Sequence, residues 1–308
     1  MNETHPCGQP CGLPCADACA LQPPPAPLVL EEALERFGRE AVRGTCDTGR
    51  YRMPYYSWGE GPPLMFIHGA SDSSRAFLLP IARLSAHFRC VAYDLPAGKA
   101  DGARLPGYTH ADLVRDFWAL LDHLGLRQSY VFGSSFGSTV ALAALHERPQ
   151  RLPRAVLQGG LAHRGLRPRE RLLARVARWL PGSMGRVPLR KKMLRKTTYA
   201  AFAGRPDGVW RYYLDCGGAP PIRAFASQVL MLEHLDLRPL LPAIRQPVLL
   251  VCGEHDRVVP LPYSDVLLKN LPNAGRVVVE GCGHVPSYSH PEALAEVVRR
   301  FLTPGQMG

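Results

Sequence analysis

Ser135 sits at the centre of VFGSSFGSTVAL, residues 131–142, with Gly133 and Gly137 two positions to either side. Small residues at those offsets are what a tight turn from strand to helix demands, because the two backbones pass close to each other at its apex. Ser134 has Phe132 and Phe136 at the same offsets, and Ser138 has Phe136 and Val140, so neither meets the demand. A serine hydroxyl is a poor nucleophile near neutral pH. It needs an imidazole to take its proton and a carboxylate to hold that imidazole in the right tautomer. The chain offers a good candidate for each: Asp256 in LLVCGEHDRVVP and His284 in VVVEGCGHVPSYSHPE, both just past an apolar, strand-like run. Open parallel sheets place their reactive loops at that end of a strand. The glycines around His284 leave its ring room to reach Ser135. The chemistry of such a set is acyl transfer through the serine.

The elements that must position these residues alternate between strand and helix, the mark of a mostly parallel sheet covered on both faces. Residues 64–67, 89–93, 128–132, 155–158, 247–251 and 276–279 read as strands. Helical periodicity covers 75–86, 110–124, 136–146, 263–270 and 290–302. The stretch 161–240 interrupts this rhythm with helical, Arg-rich sequence. It is expected to be an insertion between two strands, where a lid would sit. The organisation expected is α/β: a doubly wound core in two parts, 28–160 and 241–308, with a helical basic lid at 161–240.

Four motifs, IHGA after a strand, GSSFGS at the turn, GEHDRVVP at the acid and GCGHVPSYSHPE at the base, occur in one order along the chain. In these, from about residue 50 to residue 303, the chain resembles the α/β-hydrolase family. The resemblance implies Ser135 as nucleophile, His284 as base and Asp256 as acid. It implies an oxyanion hole made by the backbone N–H groups of Ala70 and Phe136. No cofactor and no metal are expected, and the partner is a small-molecule acyl substrate. Its implied activity is cleavage of a carboxylic ester or related acyl bond through an acyl-enzyme. Aminopeptidases of the proline iminopeptidase type, thioesterases, carbon–carbon bond hydrolases and perhydrolases share the fold, as would a non-catalytic binding protein. Epoxide hydrolases and dehalogenases are excluded, since they carry Asp where Ser135 stands. The family's DxxGxGxS loop departs here to DLPAGKAD, with Ala97 and Lys99 in place of glycines. Among nearby polar residues, His68 is expected to bond backbone at a strand end, Asp94 and Glu254 to brace turns, and His255 and Asp265 to face solvent.

At 46% hydrophobic residues, the 308-residue chain suits one large α/β domain with an insertion. It contains no apolar run of about 18 residues, the length a membrane-spanning helix requires. Residues 1–15 lack a basic start and an apolar stretch, which predicts no secretory signal and a cytoplasmic location. Cys90, Cys252 and Cys282 lie in or beside apolar runs and are expected to be free, buried thiols. Cys7, Cys11, Cys15 and Cys19 recur every fourth residue, but this even spacing fits zinc badly, and Pro6, Pro10 and Pro14 forbid a helix that would align them. Residues 1–27 are expected to be a disordered tail.

Residues 161–210 hold thirteen Lys/Arg against two acids, an excess equal to the formal net charge of +11 of the whole chain. Within RERLLARVARWL, Leu172, Leu173, Val176, Trp179 and Leu180 form an apolar stripe opposite Arg171, Arg175 and Arg178. This pattern is expected to pack the stripe over the pocket; the same pattern would suit an interfacial helix in peripheral contact with an anionic surface. Nucleic acid is not the expected partner, since the basic segment lacks aromatic interleaving and any recognised binding motif.

Overall fold

The computed structural model describes residues 28–70, 72–188, 190–216 and 220–303. Its strands are β1 (Val42–Asp47), β2 (Arg52–Trp58), β3 (Pro63–Ile67), β4 (Arg89–Tyr93), β5 (Tyr130–Ser134), β6 (Ala155–Gln158), β7 (Val248–Gly253) and β8 (Ala274–Val279). Its α-helices are α1 (Leu30–Glu40), α2 (Leu78–Leu84), α3 (His110–His123), α4 (Phe136–Glu147), α5 (Pro168–Ala177), α6 (Arg190–Thr197), α7 (Asp207–Cys216), α8 (Ile222–Glu233), α9 (Leu261–Asn270), α10 (Pro286–Ser289) and α11 (Pro291–Leu302). The strands form one sheet in the order β1-β2-β4-β3-β5-β6-β7-β8. Its first two pairings, β1 with β2 and β2 with β4, are antiparallel, and the rest are parallel. The mostly parallel, doubly wound sheet expected from the alternation is therefore the fold.

Alternation along each strand divides the core between the two faces. Met65 and Ile67 join the layer built with Leu113 and Phe117 of α3 and Val140 and Leu145 of α4, while Leu64 and Phe66 join the layer of α1, α2 and α11. Because both faces are covered, these strands read as continuous apolar runs, which is why they were visible in the sequence. The antiparallel pair β1 and β2 was not among the expected strands. Gly44 and Pro54 interrupt them, and their burial is patchy. A Cβ on Gly44 would lie within 2.4 Å of the Tyr55 ring.

Between β6 and β7 the chain leaves the sheet for α5, α6, α7 and α8, the insertion expected from the break in rhythm. Phe202, Val209 and Tyr213 tie it into the layer of α1, α2 and α11. Arg205 pairs with buried Glu292 at the start of α11 and also donates to the Ser289 carbonyl. The apolar stripe of α5 is turned outward, contrary to expectation: Leu172, Leu173, Val176 and Trp179 are 65, 70, 53 and 66% exposed. The physical reason is a partner far along the chain. α5 packs against α8, Ala174 is its buried residue, and the Arg171 guanidinium meets the Glu233 carboxylate, whose side chain is only 6% exposed. Satisfying that buried charge fixes which side of α5 turns inward. The Cys7–Cys19 repeat and the tail assigned to 1–27 lie outside the described residues.

Candidate active site

β5 ends at Ser134, and the chain reverses into α4 at Ser135, whose φ of 50° is the only positive value outside glycine among the described residues. This left-handed backbone is strained for a residue with a Cβ and is sustained only where the surroundings enforce it. The enforcement is visible in the flanking glycines. A Cβ on Gly137 would lie 2.3 Å from the Ile67 carbonyl oxygen, and one on Gly133 would lie 2.8 Å from the Gly137 oxygen and the Ser138 Cα. The Ser135 amide donates to the Gln158 carbonyl at 2.8 Å, which anchors the turn to the end of β6.

The three residues expected to act together are brought together. Ser135 Oγ lies 3.1 Å from His284 Nε2, and His284 Nδ1 lies 2.7 Å from Asp256 Oδ2. The second Asp256 oxygen accepts the amides of Val258 and Val259, each at 2.8 Å. The carboxylate therefore has all its near partners and is itself buried, whereas Ser135 and His284 are open enough to be reached. With Nδ1–H donating to Asp256, His284 Nε2 is the free base that can accept the Ser135 proton. The loops carrying acid and base are locked to each other: the His255 amide donates to the Cys282 carbonyl and the Gly281 amide to Glu254, and a Cβ on Gly253 would lie 2.2 Å from the Gly283 oxygen.

The residues expected to form an oxyanion hole lie on either side of Ser135. Phe136 opens α4, where the first amides of a helix have no intrahelical acceptor. Ala70 follows Gly69, on which a Cβ would lie 3.3 Å from that of Ser135. Neither amide donates to a carbonyl or side chain among the described residues. His68 sits beside them in a structural role: its Nδ1 donates to the Gly69 carbonyl and its Nε2 accepts the Leu95 amide. Asp94 accepts the Ser74 amide, and the departing loop after β4 is braced by Asp101, which accepts the amides of Ala97, Gly98 and Ala103. His255 is exposed. Asp265 pairs with Arg276 at the surface.

Several residues at the site were not singled out in the sequence. Gln158, the polar end of the AVLQ strand, is 1% exposed; it accepts from Ser134 Oγ at 2.5 Å and donates to the His284 carbonyl at 3.1 Å. It joins the turn to the histidine loop, and a polar residue closing an apolar strand was its one signal. Gly159, at φ 53°, passes under the His284 ring, where a Cβ would lie 3.2 Å from Cε1. Asp72, two residues past Ala70, accepts from Tyr288 Oη at 2.7 Å and from the Ser73 amide. Burial pushes its carboxyl above the usual range, against the pull of those donors and of the nearby His68 and His284. Above it sit Tyr213 of α7, whose ring centroid is 5.0 Å from that of Tyr288, and Arg190 of α6, a buried cation of the basic segment.

The chain is similar to known proteins along most of its length. The profile of the alpha/beta hydrolase fold matches residues 62–291. A 2-hydroxymuconate semialdehyde hydrolase of Pseudomonas putida is 30% identical over 82% of this chain and 91% of its own. A pimeloyl-[acyl-carrier protein] methyl ester esterase of Xanthomonas campestris pv. campestris is 26% identical over 79% of this chain and 96% of its own. Among solved structures, a thermophilic esterase from Thermogutta terrifontis superposes with a TM-score of 0.74 at 22% identity, covering 85% of this chain and 98% of that one.

Proposed function

The chain belongs to the α/β-hydrolase fold family, and from that premise we propose that it is a serine hydrolase cleaving a carboxylic ester or related acyl bond, with Ser135, His284 and Asp256 as its triad. The observation that carries this reading is the unbroken line from Ser135 Oγ through His284 to Asp256, at 3.1 and 2.7 Å, on a serine held at a strained backbone angle. Ser135 Oγ attacks the acyl carbon as His284 Nε2 takes its proton, and the tetrahedral oxyanion is held by the amides of Ala70 and Phe136. His284 then protonates the leaving group. An acyl-enzyme forms on Ser135, and water activated by the same imidazole releases the acid. Asp256 keeps its charge throughout and stabilises the imidazolium. We take the insertion as the lid of this site. Its reading as a lid is supported by contacts at the histidine loop: a Cβ on Gly283 would lie 3.5 Å from that of Ala201.

Carbon–carbon bond cleavage is the second reading, favoured by the named activity of the 30%-identical relative from Pseudomonas putida. Among the described residues no helix is long and apolar enough to cross a membrane. The free thiols of Cys46, Cys90, Cys216, Cys252 and Cys282 support a reducing compartment, the cytoplasm. The test is a panel of p-nitrophenyl esters of rising acyl length, run beside Pro-p-nitroanilide and a vinylogous 1,5-diketone acid. Ester turnover with a pre-steady-state burst of p-nitrophenol is the expected result. Turnover of the diketone alone would move the assignment to carbon–carbon cleavage, and turnover of the anilide alone would move it to the peptidase.

A further inference from the structure

Fourteen large apolar side chains are exposed among the described residues, and seven of them fall between Leu172 and Tyr199, in the segment that also holds the chain's whole net positive charge. Leu172, Leu173, Val176, Trp179 and Leu180 form one outward ridge along α5 and the turn after it. A monomer in water gains nothing from such a ridge, and contiguous exposed apolar surface of this kind marks a contact face. It is held outward by structure: Arg171 and Arg175 reach Glu233 of α8, and Arg223 of α8 donates to the carbonyls of Trp179 and Leu180. Arg178 lies over the Trp179 ring at 5.4 Å. Exposed Arg167 and Arg169 at the head of α5, with Lys191, Lys192, Arg195 and Lys196 in α6, make no ion pair among the described residues.

We propose that this face docks the protein on an anionic phospholipid bilayer, with α5 lying in the plane of the interface, its Leu172–Leu180 ridge among the upper acyl carbons and the exposed cations beside it, Arg167 and Arg169 with Lys191, Lys192, Arg195 and Lys196, at the headgroups. A short helix with an aromatic and aliphatic ridge between arginines is the pattern that binds there. The anionic surface of a cytoplasmic leaflet attracts juxtaposed basic residues. A second copy of the chain is a poor occupant, because it would bring the same excess of positive charge to the contact. The inference holds whichever bond the Ser135 site cleaves.

Trp179 supplies the probe, since Trp58 and Trp118 are 2% exposed and Trp210 is half-buried. The full chain is mixed with vesicles rich in phosphatidylglycerol, and with pure phosphatidylcholine vesicles, and sedimented. The expected result is pelleting with the anionic vesicles only, weakened as salt rises from about 0.1 M to about 1 M, where the Debye length falls from about 10 Å to about 3 Å. Tryptophan emission shifts to the blue and is quenched by lipids brominated in the upper acyl chain. Leu172→Ser with Leu173→Ser lowers the vesicle partition on the order of tenfold or more, with soluble-ester turnover retained. Failure to pellet, pelleting without a change in tryptophan emission, equal pelleting of the double variant, or a dimer in sedimentation equilibrium that this variant dissolves would each overturn the proposal.

Discussion

At the C-terminal ends of β5, β7 and β8 each polar group of the Ser135–His284–Asp256 line has its partner, whereas along α5 and α6 large apolar side chains and unpaired cations face water. The two regions differ in what holds them. The first is fixed by backbone: a positive φ at Ser135, close approaches at Gly133, Gly137 and Gly253, and paired loops around Asp256 and His284. Preorganised geometry of this kind is what acyl transfer requires, because donors must stand in place before charge develops. The second is fixed by a few side-chain ion pairs and leaves its outer surface unsatisfied. The contrast shows that preorganised polar geometry and exposed apolar, basic surface occupy separate parts of one chain.

The sharpest way to break this contrast is to remove the nucleophile. Ser135→Ala is expected to lower kcat on the order of 10⁴-fold or more, as for a triad acting as a unit, while Ser134→Ala and Ser138→Ala cost far less. Steady-state kinetics on one p-nitrophenyl ester checks this, and a dead Ser134→Ala enzyme would misplace the nucleophile.

The next largest effect concerns the clamp between the regions. Arg205 and Glu292 are both largely buried and paired, so Arg205→Ala is expected to cost about 3 kcal/mol or more of stability, measured by urea unfolding. The pair also predicts a pH signature. Burial raises the Glu292 carboxyl, but Arg205 and the Leu28 amide outweigh it and hold the carboxyl below its ordinary value of 4.5. A depressed folded-state pKa gives stability that is fully present above pH 4.5 and lost as pH falls through the folded value. In Arg205→Ala the burial effect is left with less opposition, so that acid-side loss shrinks or reverses. A variant whose acid unfolding curve parallels the parent's would detach Arg205 from this role.

A smaller effect sharpens the picture of the site. Gln158→Leu removes the side-chain link from Ser134 Oγ to the His284 carbonyl, and is expected to lower kcat by about tenfold to a hundredfold with KM little changed. A change in KM alone would make Gln158 part of substrate binding instead. Least of all should change on the far side of the comparison: Trp179→Ala is expected to leave kcat/KM for a soluble neutral ester within about twofold, because an exposed side chain away from the chemistry contributes little.

What was legible in the sequence follows the same division. The turn at Ser135 could be read because its demand is local, two glycines at fixed offsets, and the buried strands because both their faces are apolar. The bracing roles expected of His68 and Asp94 agree with the hydrogen bonds of both. β1 and β2 escaped because Gly44 and Pro54 break the alternation and one side of the pair is wet. Gln158 and Asp72 escaped because their partners, the His284 carbonyl and Tyr288, lie far along the chain. On α5 the periodicity showed which residues share a face but not which face turns inward. Glu233 decides that, and no pattern within residues 168–180 contains it.

Covalent trapping tests whether Ser135 is the nucleophile activated through His284 and Asp256. The full chain is treated with a fluorophosphonate, digested, and the modified residue located by mass spectrometry. The expected result is a single stoichiometric adduct on Ser135 Oγ, absent in Ser135→Ala and formed far more slowly in His284→Ala. An adduct on Ser134, Ser138 or any other residue, or a wild-type protein that stays unlabelled while remaining folded, would contradict it.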